Sequence, residues 1–201
     1  MHPALLVKQL GTSLAGPFEL DLERGACAAI TGPSGSGKSL FLRMIADLDP
    51  NHGEVWLNGR ERASMPAPEW RQQAILVSAE SGWWADRVSE HFPANRRSEM
   101  ATLSARLGLR SDIPDAPVAQ LSTGEKQRLA LLRALVLDPP VLLLDEPTGP
   151  LDEDSVIRVE ALLRERMARG TSILLVTHDP AQATRLSRQR YRMLAGRMQA
   201  E

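Results

Sequence analysis

Gly32-Pro33-Ser34-Gly35-Ser36-Gly37-Lys38-Ser39 is the stretch that decides how this chain reads. It fits G-x-x-x-x-G-K-[ST], the Walker A phosphate loop, with Gly32, Gly37, Lys38 and Ser39 in the fixed places. Glycines reach backbone conformations closed to other residues, so successive N–H groups can turn inward onto phosphate oxygens. Lys38 offers a mobile positive charge for β- and γ-phosphates, and the Ser39 hydroxyl is suited to ligating Mg²⁺. The flanks agree with this. Ala26-Cys27-Ala28-Ala29-Ile30 is a small apolar run suited to a buried strand, and Ser39 to Ala46 has helix-compatible apolar spacing. That helix would turn its N-terminus toward the phosphates. A nucleoside triphosphate is expected here, held by Gly32, Pro33, Ser34, Gly35, Ser36, Gly37, Lys38, Ser39 and Leu40.

Composition bounds the rest. A chain of 201 residues can bury a real core as one domain with a smaller subdomain. Charges are nearly balanced, with a net charge of −1, so there is no global electrostatic case for nucleic acid or an anionic membrane. The single cysteine, Cys27, excludes an intramolecular disulfide and fits a reducing compartment; its place in the strand before the loop suits a buried structural role. The N-terminus lacks the basic region and long apolar stretch of a secretory signal. No apolar run approaches the ~20 residues that cross a bilayer. A soluble, cytoplasmic protein is expected, with any membrane work done by another chain.

Further along, Gly53-Glu54-Val55-Trp56-Leu57-Asn58-Gly59 is a β pattern running into a hairpin-turn signal, and Ala74 to Val77 is another strand candidate. Residues 89–137 turn mainly helical, broken by the Pro/Asp-rich stretch from Ser111 to Pro117. Val141-Leu142-Leu143-Leu144 and Ile173-Leu174-Leu175-Val176 are continuous apolar runs, as strands buried on both faces should be. Between them, Glu153 to Arg169 reads as an amphipathic helix with Val156, Val159, Leu163 and Met167 on one stripe and Gly170 past its end. Apolar strands alternating with helices argue for an α/β layered fold with a largely parallel central sheet.

Three further motifs follow the phosphate loop. The strand from Val141 ends in Asp145-Glu146-Pro147, placing Asp145 to hold Mg²⁺ through water, as a Walker B aspartate does, and Glu146 to polarise an attacking water. Leu121-Ser122-Thr123-Gly124-Glu125-Lys126-Gln127-Arg128 aims a hydroxyl, backbone N–H groups and a helix N-terminus at an anion. Taken alone, Ser-Thr-x-Glu is equally a helix capping box. Thr177-His178-Asp179 ends the next strand, where α/β folds place ligands.

Together these residues resemble the nucleotide-binding subunits of ATP-binding cassette (ABC) transporters, and the resemblance covers almost the whole chain. It is nearest to short bacterial ATP-binding proteins of the iron-export type, through Ile30 to Gly35, Arg71-Gln72-Gln73, Gly124 to Arg128 and Val141 to Glu146. The resemblance implies a P-loop NTPase fold over residues 1–201: an N-terminal antiparallel β-subdomain, the central sheet, and a helical subdomain at about 80–135. It implies ATP and Mg²⁺, with Ser122, Thr123, Gly124 and Glu125 as the signature, His178 as the switch histidine on the γ-phosphate, and Gly149-Pro150-Leu151-Asp152 as the D-loop. One Walker A and one signature per chain then imply a head-to-tail homodimer in the ATP-bound state.

The pattern breaks in three places. Ala79, followed by Glu80, stands where the family has a metal-contacting glutamine. Thr123 replaces a signature glycine. No aromatic residue precedes Phe18 to stack on adenine, which leaves Thr12, Ser13 or Leu14 to pack there. Trp83 and Trp84 suit either the core of the helical subdomain or a hydrophobic cleft for a partner's helix. The catalytic set implied is Lys38, Glu146 and His178, with Ser39 and Asp145 on the metal. The expected function is the ATP-hydrolysing subunit of a transporter, peripheral on the inner face of the membrane through a separate multi-span permease. The rival is an ATP-dependent switch or scaffold that regulates a membrane-bound complex without moving a solute.

Overall fold

A computed structural model describes residues 2–201. Strands β1 (Leu5–Gly11) and β2 (Phe18–Leu22) lead into β3 (Cys27–Thr31) and helix α1 (Lys38–Ile45). Next come the hairpin β4 (His52–Leu57) and β5 (Arg60–Glu61), then α2 (Ala67–Gln73) and β6 (Ala74–Val77). Residues 88–120 hold four short 3₁₀ turns around α3 (Arg97–Arg106). The chain continues with α4 (Thr123–Leu135), β7 (Val141–Asp145), α5 (Glu153–Ala168), β8 (Ser172–Val176) and α6 (Pro180–Leu186). It closes on the hairpin β9 (Gln189–Leu194) and β10 (Arg197–Ala200).

Two sheets result. One is antiparallel in the order β2-β1-β4-β5; the other runs β10-β9-β3-β8-β7-β6 and is parallel except at the β9–β10 pair. This is the mixed α/β layering expected from the alternating apolar runs. Every residue of β7 and β8 is buried, because helices cover both faces of a parallel sheet.

Side chains alternate across that sheet. Leu143, Leu174 and Val176 point into one core with α1 and the antiparallel sheet, while Leu142, Leu144, Ile173 and Leu175 point into the other with α3, α4 and α5. Leu143 and Leu174 are fully buried, so truncating either to alanine should cost about 2–5 kcal/mol. The sheet is therefore held from both sides, and the strand ends that carry Thr31, Asp145 and Val176 have little freedom to shift.

The antiparallel sheet is the N-terminal β-subdomain that the resemblance implies, although some of its strands, and a C-terminal hairpin, are not delimited by the sequence. Strands β1 and β2 alternate buried and exposed positions but are short and irregular, and their pairing slips between Val7 and Leu10. The β9–β10 hairpin is arginine-rich and has no apolar run to announce it. Its turn, Ala195-Gly196, takes two positive φ angles of 46° and 74°, the geometry of a tight hairpin. The helical reading of residues 89–137 resolves into two α-helices separated by 3₁₀ turns, since prolines at 93, 114 and 117 interrupt the backbone ladder.

Candidate nucleotide-binding site

The loop between β3 and α1 is built by its glycines. Gly32 has a φ of 146°, and a side chain there would run into the Met193 carbonyl of β9. Gly35 and Gly37 take φ angles of 75° and 105°, which turn the loop onto the first turn of α1. Gly37 caps that helix with no side-chain hydrogen bond, and no acidic residue sits in its first turn. The orphan N–H groups that every helix start leaves are thus unclaimed by side chains, and the dipole favours an anion. The Lys38 ammonium donates to the carbonyls of Gly32 at 2.8 Å and Pro33 at 2.9 Å. Burial lowers its pKa, while the carboxylates of Glu146 and Asp145 pull the other way.

A cleft of about 400 Å³ opens beside this loop, lined by residues 34–40 together with Ala79, Asp145, Glu146 and His178. Asp145 is the last residue of β7 and is buried. Glu146 follows it with a φ of +50°, a left-handed conformation uncommon for a residue with a side chain. Its N–H donates to Val176 of β8 at 3.0 Å, and its Oε2 accepts from the His178 backbone N–H at 3.1 Å. The His178 Nε2 lies 3.3 Å from Oε1, but not in hydrogen-bonding geometry, so Oε1 is buried without a donor. Burial pushes the Glu146 carboxyl above the usual carboxylate range, against the pull of the His178 N–H and ring and of Lys38. A carboxylate raised in this way is a better proton acceptor near neutral pH.

His178 is set by its neighbours. Asp179 caps α6 by accepting from the Ala181 N–H at 2.8 Å, and Thr177 accepts from the Asp179 N–H at 3.0 Å. Glu160 of α5, almost fully buried, takes the Arg185 guanidinium of α6 at 2.7 Å and fixes that helix on the core. Among the described residues, no three His, Cys, Asp or Glu side chains are arranged to hold a metal ion by themselves. Ser39 and Asp145 face the same cleft, a sparse oxygen pair of the kind Mg²⁺ uses when phosphates complete its shell.

The structure does not bring every expected residue to this cleft. Gly32 and Pro33 line a neighbouring cavity of about 540 Å³ with His178, Arg190 and Arg192. The signature residues Ser122, Thr123, Gly124 and Glu125 are absent from the cleft's lining. They open α4, where the capping-box reading is fully realised. The Ser122 Oγ accepts from the Glu125 N–H at 3.2 Å, and Glu125 Oε2 accepts from the Ser122 N–H at 2.9 Å. These bonds, with Arg110 and Arg128 nearby, hold the Glu125 carboxyl below its usual range despite some burial.

Ala79 does face the cleft, as the family register implies, whereas Glu80 is exposed and outside the lining. Thr12, Ser13 and Leu14 form a turn in which Thr12 Oγ1 accepts from the N–H groups of Leu14 and Ala15 at 3.1 and 3.3 Å. Gly196 packs against this turn and against Gly37, so the highly exposed Leu14 stands beside the phosphate loop. Phe18 is buried on Phe41, with ring centroids 4.7 Å apart, and is not available to a base. The two tryptophans divide: Trp83 is half-buried on the core near α4, and Trp84 is 70% exposed. Both meet the His91 ring, Trp83 edge-on and Trp84 tilted, and Arg133 sits over both indoles.

Sequence reasoning missed two buried amides. Gln127 reaches the Glu146 carbonyl, and Gln182 of α6, fully buried, donates to Thr148 Oγ1 at 2.8 Å. Their only signal was a polar residue on the apolar stripe of a helix.

The family model described as "ABC transporter" matches residues 16–149. The chain belongs to the ABC transporter family. Among curated ABC proteins it is 36% identical over 193 residues to the aliphatic sulfonates import ATP-binding protein SsuB of Cupriavidus necator, covering 93% of this chain and 63% of that one. It is 34% identical over 194 residues to the lipoprotein-releasing system ATP-binding protein LolD of Saccharophagus degradans, covering 88% and 84%. The chain spans less than two thirds of the length of several of these relatives, 28% for a macrolide export ATP-binding/permease protein of Bartonella henselae. In fold it matches the ATP-binding cassette MJ0796, solved as a post-hydrolysis dimer bound to ADP and Pi, with a TM-score of 0.83, 24% identity and 98% of both chains covered.

Proposed function

We propose that this chain is the ATP-binding and hydrolysing subunit of an ABC transporter, a single cassette over residues 1–201 with a helical subdomain at about 80–135. The observation that carries this reading is one cleft in which Lys38, Ser39, Asp145, Glu146 and His178 converge on an uncapped helix N-terminus. ATP would lie with its phosphates along residues 32–40, the Lys38 ammonium turning from the loop carbonyls to the β- and γ-phosphates. Mg²⁺, held by Ser39 and through water by Asp145, would neutralise charge on the phosphates. Glu146, its carboxyl raised by burial, would orient and deprotonate the attacking water. His178 would contact the γ-phosphate, its backbone N–H keeping the Glu146 carboxylate in place. Phosphoryl transfer then proceeds by positioning and electrostatics, with little covalent work for the protein.

The signature supports a two-chain site. Ser122 to Glu125 open an exposed helix end away from the cleft, so a second copy, paired head to tail, would bring its signature to this chain's ATP. An isologous dimer gives two identical sites. No helix among the described residues is long and apolar enough to cross a membrane. A separate permease would supply the path, holding this subunit at the inner face of the membrane. A cavity of about 370 Å³, lined by Ile75, Val77, Trp84, His91, Arg133 and Leu137, would receive it next to Ala79 and Glu80. The names of the relatives cover both import and export, so what this chain would share with them is the ATP-binding part and not a direction of transport.

Glu146→Gln tests this reading. It should keep ATP binding, slow turnover by about 10²-fold or more, and trap an ATP-dependent dimer in gel filtration. Turnover at the normal rate would remove Glu146 from its role.

A further inference from the structure

The helix that begins at the signature also grips the loop that begins at Glu146. Gln127, in the second turn of α4, is buried, and its Nε2 donates to the Glu146 carbonyl at 3.4 Å. The next residue, Arg128, donates through Nη1 to Ser155 Oγ at 2.8 Å. Ser155 is in turn tied to Asp152, its N–H donating to Oδ1 at 2.8 Å and its hydroxyl to Oδ2 at 3.1 Å. Between these two anchors, Gly124 faces Leu151 and the Pro150 carbonyl so closely that a Cβ there would lie 3.4 Å from Leu151 Cδ2. One rigid element therefore holds the start, the middle and the end of the segment from Glu146 to Ser155.

That grip acts on a strained residue. Glu146 has a φ of +50°, and such conformations persist only where their surroundings over-determine them. Three contacts do so: its N–H on Val176, and its carbonyl shared by the Gly149 N–H at 3.2 Å and the Gln127 amide. Gln127 is the only one of the three supplied by a side chain, and the only one on the signature helix. The rest of that helix face is Leu129, Ala130, Leu131, Leu132, Ala134 and Leu135, all buried. An amide among them incurs a desolvation cost that an apolar side chain of the same size would not.

We propose that Gln127 is a positioning residue for hydrolysis: it fixes the backbone of Glu146, so that a load on the signature of this chain is felt at this chain's own carboxylate. This rests on the reading of the chain as a head-to-tail ATPase. In that dimer the signature at the start of α4 touches the nucleotide of one site, while Gln127 five residues on touches the machinery of the other. The helix is then a mechanical link between the two sites, and Gln127 is its contact point.

Gln127→Met and Gln127→Leu keep most of the size of the side chain and remove its N–H donor. Each would be compared with wild type for melting temperature, equilibrium ATP binding, kcat, KM and the Hill coefficient of hydrolysis. Both variants should fold and bind ATP as wild type does, lose about ten-fold or more in kcat with little change in KM, and lose cooperativity. A single-turnover double-mutant cycle with Glu146→Gln gives the decisive reading. If Gln127 acts through Glu146, the two effects are strongly non-additive. An unchanged kcat in a folded, ATP-binding variant, or full additivity in the cycle, overturns the role of Gln127. Wild-type protein that binds no ATP or does not hydrolyse it would instead overturn the ATPase reading.

Discussion

Two helices in this molecule begin at residues expected to meet phosphate, and they begin in opposite ways. Helix α1 opens on Gly37 with no side-chain cap and no acid in its first turn. Helix α4 opens on Ser122 with a closed capping box, and Glu125 in its first turn complements the dipole that an anion would otherwise use. The first is therefore a primary anion site: its donors are free, and the Lys38 ammonium lies alongside. The second is satisfied within its own chain. It can add contacts to a phosphate held elsewhere, but it has little to offer a free one. A site divided in this way, on the function proposed above, would bind nucleotide with one chain and recognise that binding with another.

The largest break in this comparison is Lys38→Ala. Removing the one ammonium at the α1 loop should weaken ATP by on the order of 10²-fold, the scale of a lost charge-assisted hydrogen-bond set. Titration calorimetry decides it, and unchanged affinity would show that α1 needs no more help than α4 has. The loop carbonyls of Gly32 and Pro33 would lose their partner as well, so the melting temperature should be recorded alongside.

A smaller effect comes from the Glu146 carboxyl, which burial raises above its usual range. As a base it must be deprotonated, so the acid limb of kcat/KM, which reports the free protein, should fall at a pH above that range. In the window between the ordinary and the raised value, the folded state keeps a proton that the unfolded chain has released. Stability from this group is thus present below the unfolded pKa and lost as pH rises through the folded one. Glu146→Gln removes that loss, so its melting temperature should gain on wild type over the pH range that starts at the ordinary carboxylate value and rises from there. A constant difference across that range would mean the carboxyl is not raised. Bound Mg²⁺ and ATP change the local charge, so the measurement belongs to the nucleotide-free protein.

Much of this contrast was legible in the sequence, for reasons that are local. The α1 site is a contiguous string whose glycines have no other use at those angles, and the buried strands announce themselves as unbroken Val/Ile/Leu runs. That Asp145 and Lys38 line one cleft follows because parallel strands deliver their C-terminal ends to one edge. Ambiguity sat where one pattern serves two physical ends: Ser122-x-x-Glu125 is a cap and a signature in the same atoms. What could not be read was non-local. The positive φ of Glu146, the reach of Gln127 and the burial of Gln182 depend on elements 19 to 34 residues apart in sequence. Strands β9 and β10 were hidden because an arginine-rich edge hairpin carries no apolar run. Trp83 and Trp84 shared one pattern and two fates, because the chain turns between core and solvent there.

The finest test of the comparison is Glu125→Gln. Glutamine still closes a capping box, accepting from the Ser122 N–H through its carbonyl oxygen, so α4 should keep its start. What changes is charge. The Glu125 carboxyl is held below its usual range by the Ser122 N–H and hydroxyl and by nearby arginines, so it is ionised at neutral pH. In a head-to-tail dimer that negative charge would approach the phosphates bound at the other chain's α1, a repulsion reduced but not removed by solvent. Neutralising it should leave ATP affinity of the single chain unchanged, since Glu125 is outside the α1 cleft. It should lower the ATP concentration at which the Glu146→Gln background dimerises by about three-fold, an interaction of under 1 kcal/mol typical of screened charges. The shift should shrink as salt is raised. A weaker dimer would mean that the charge of Glu125 assists the contact instead of opposing it, since the cap is kept in this variant.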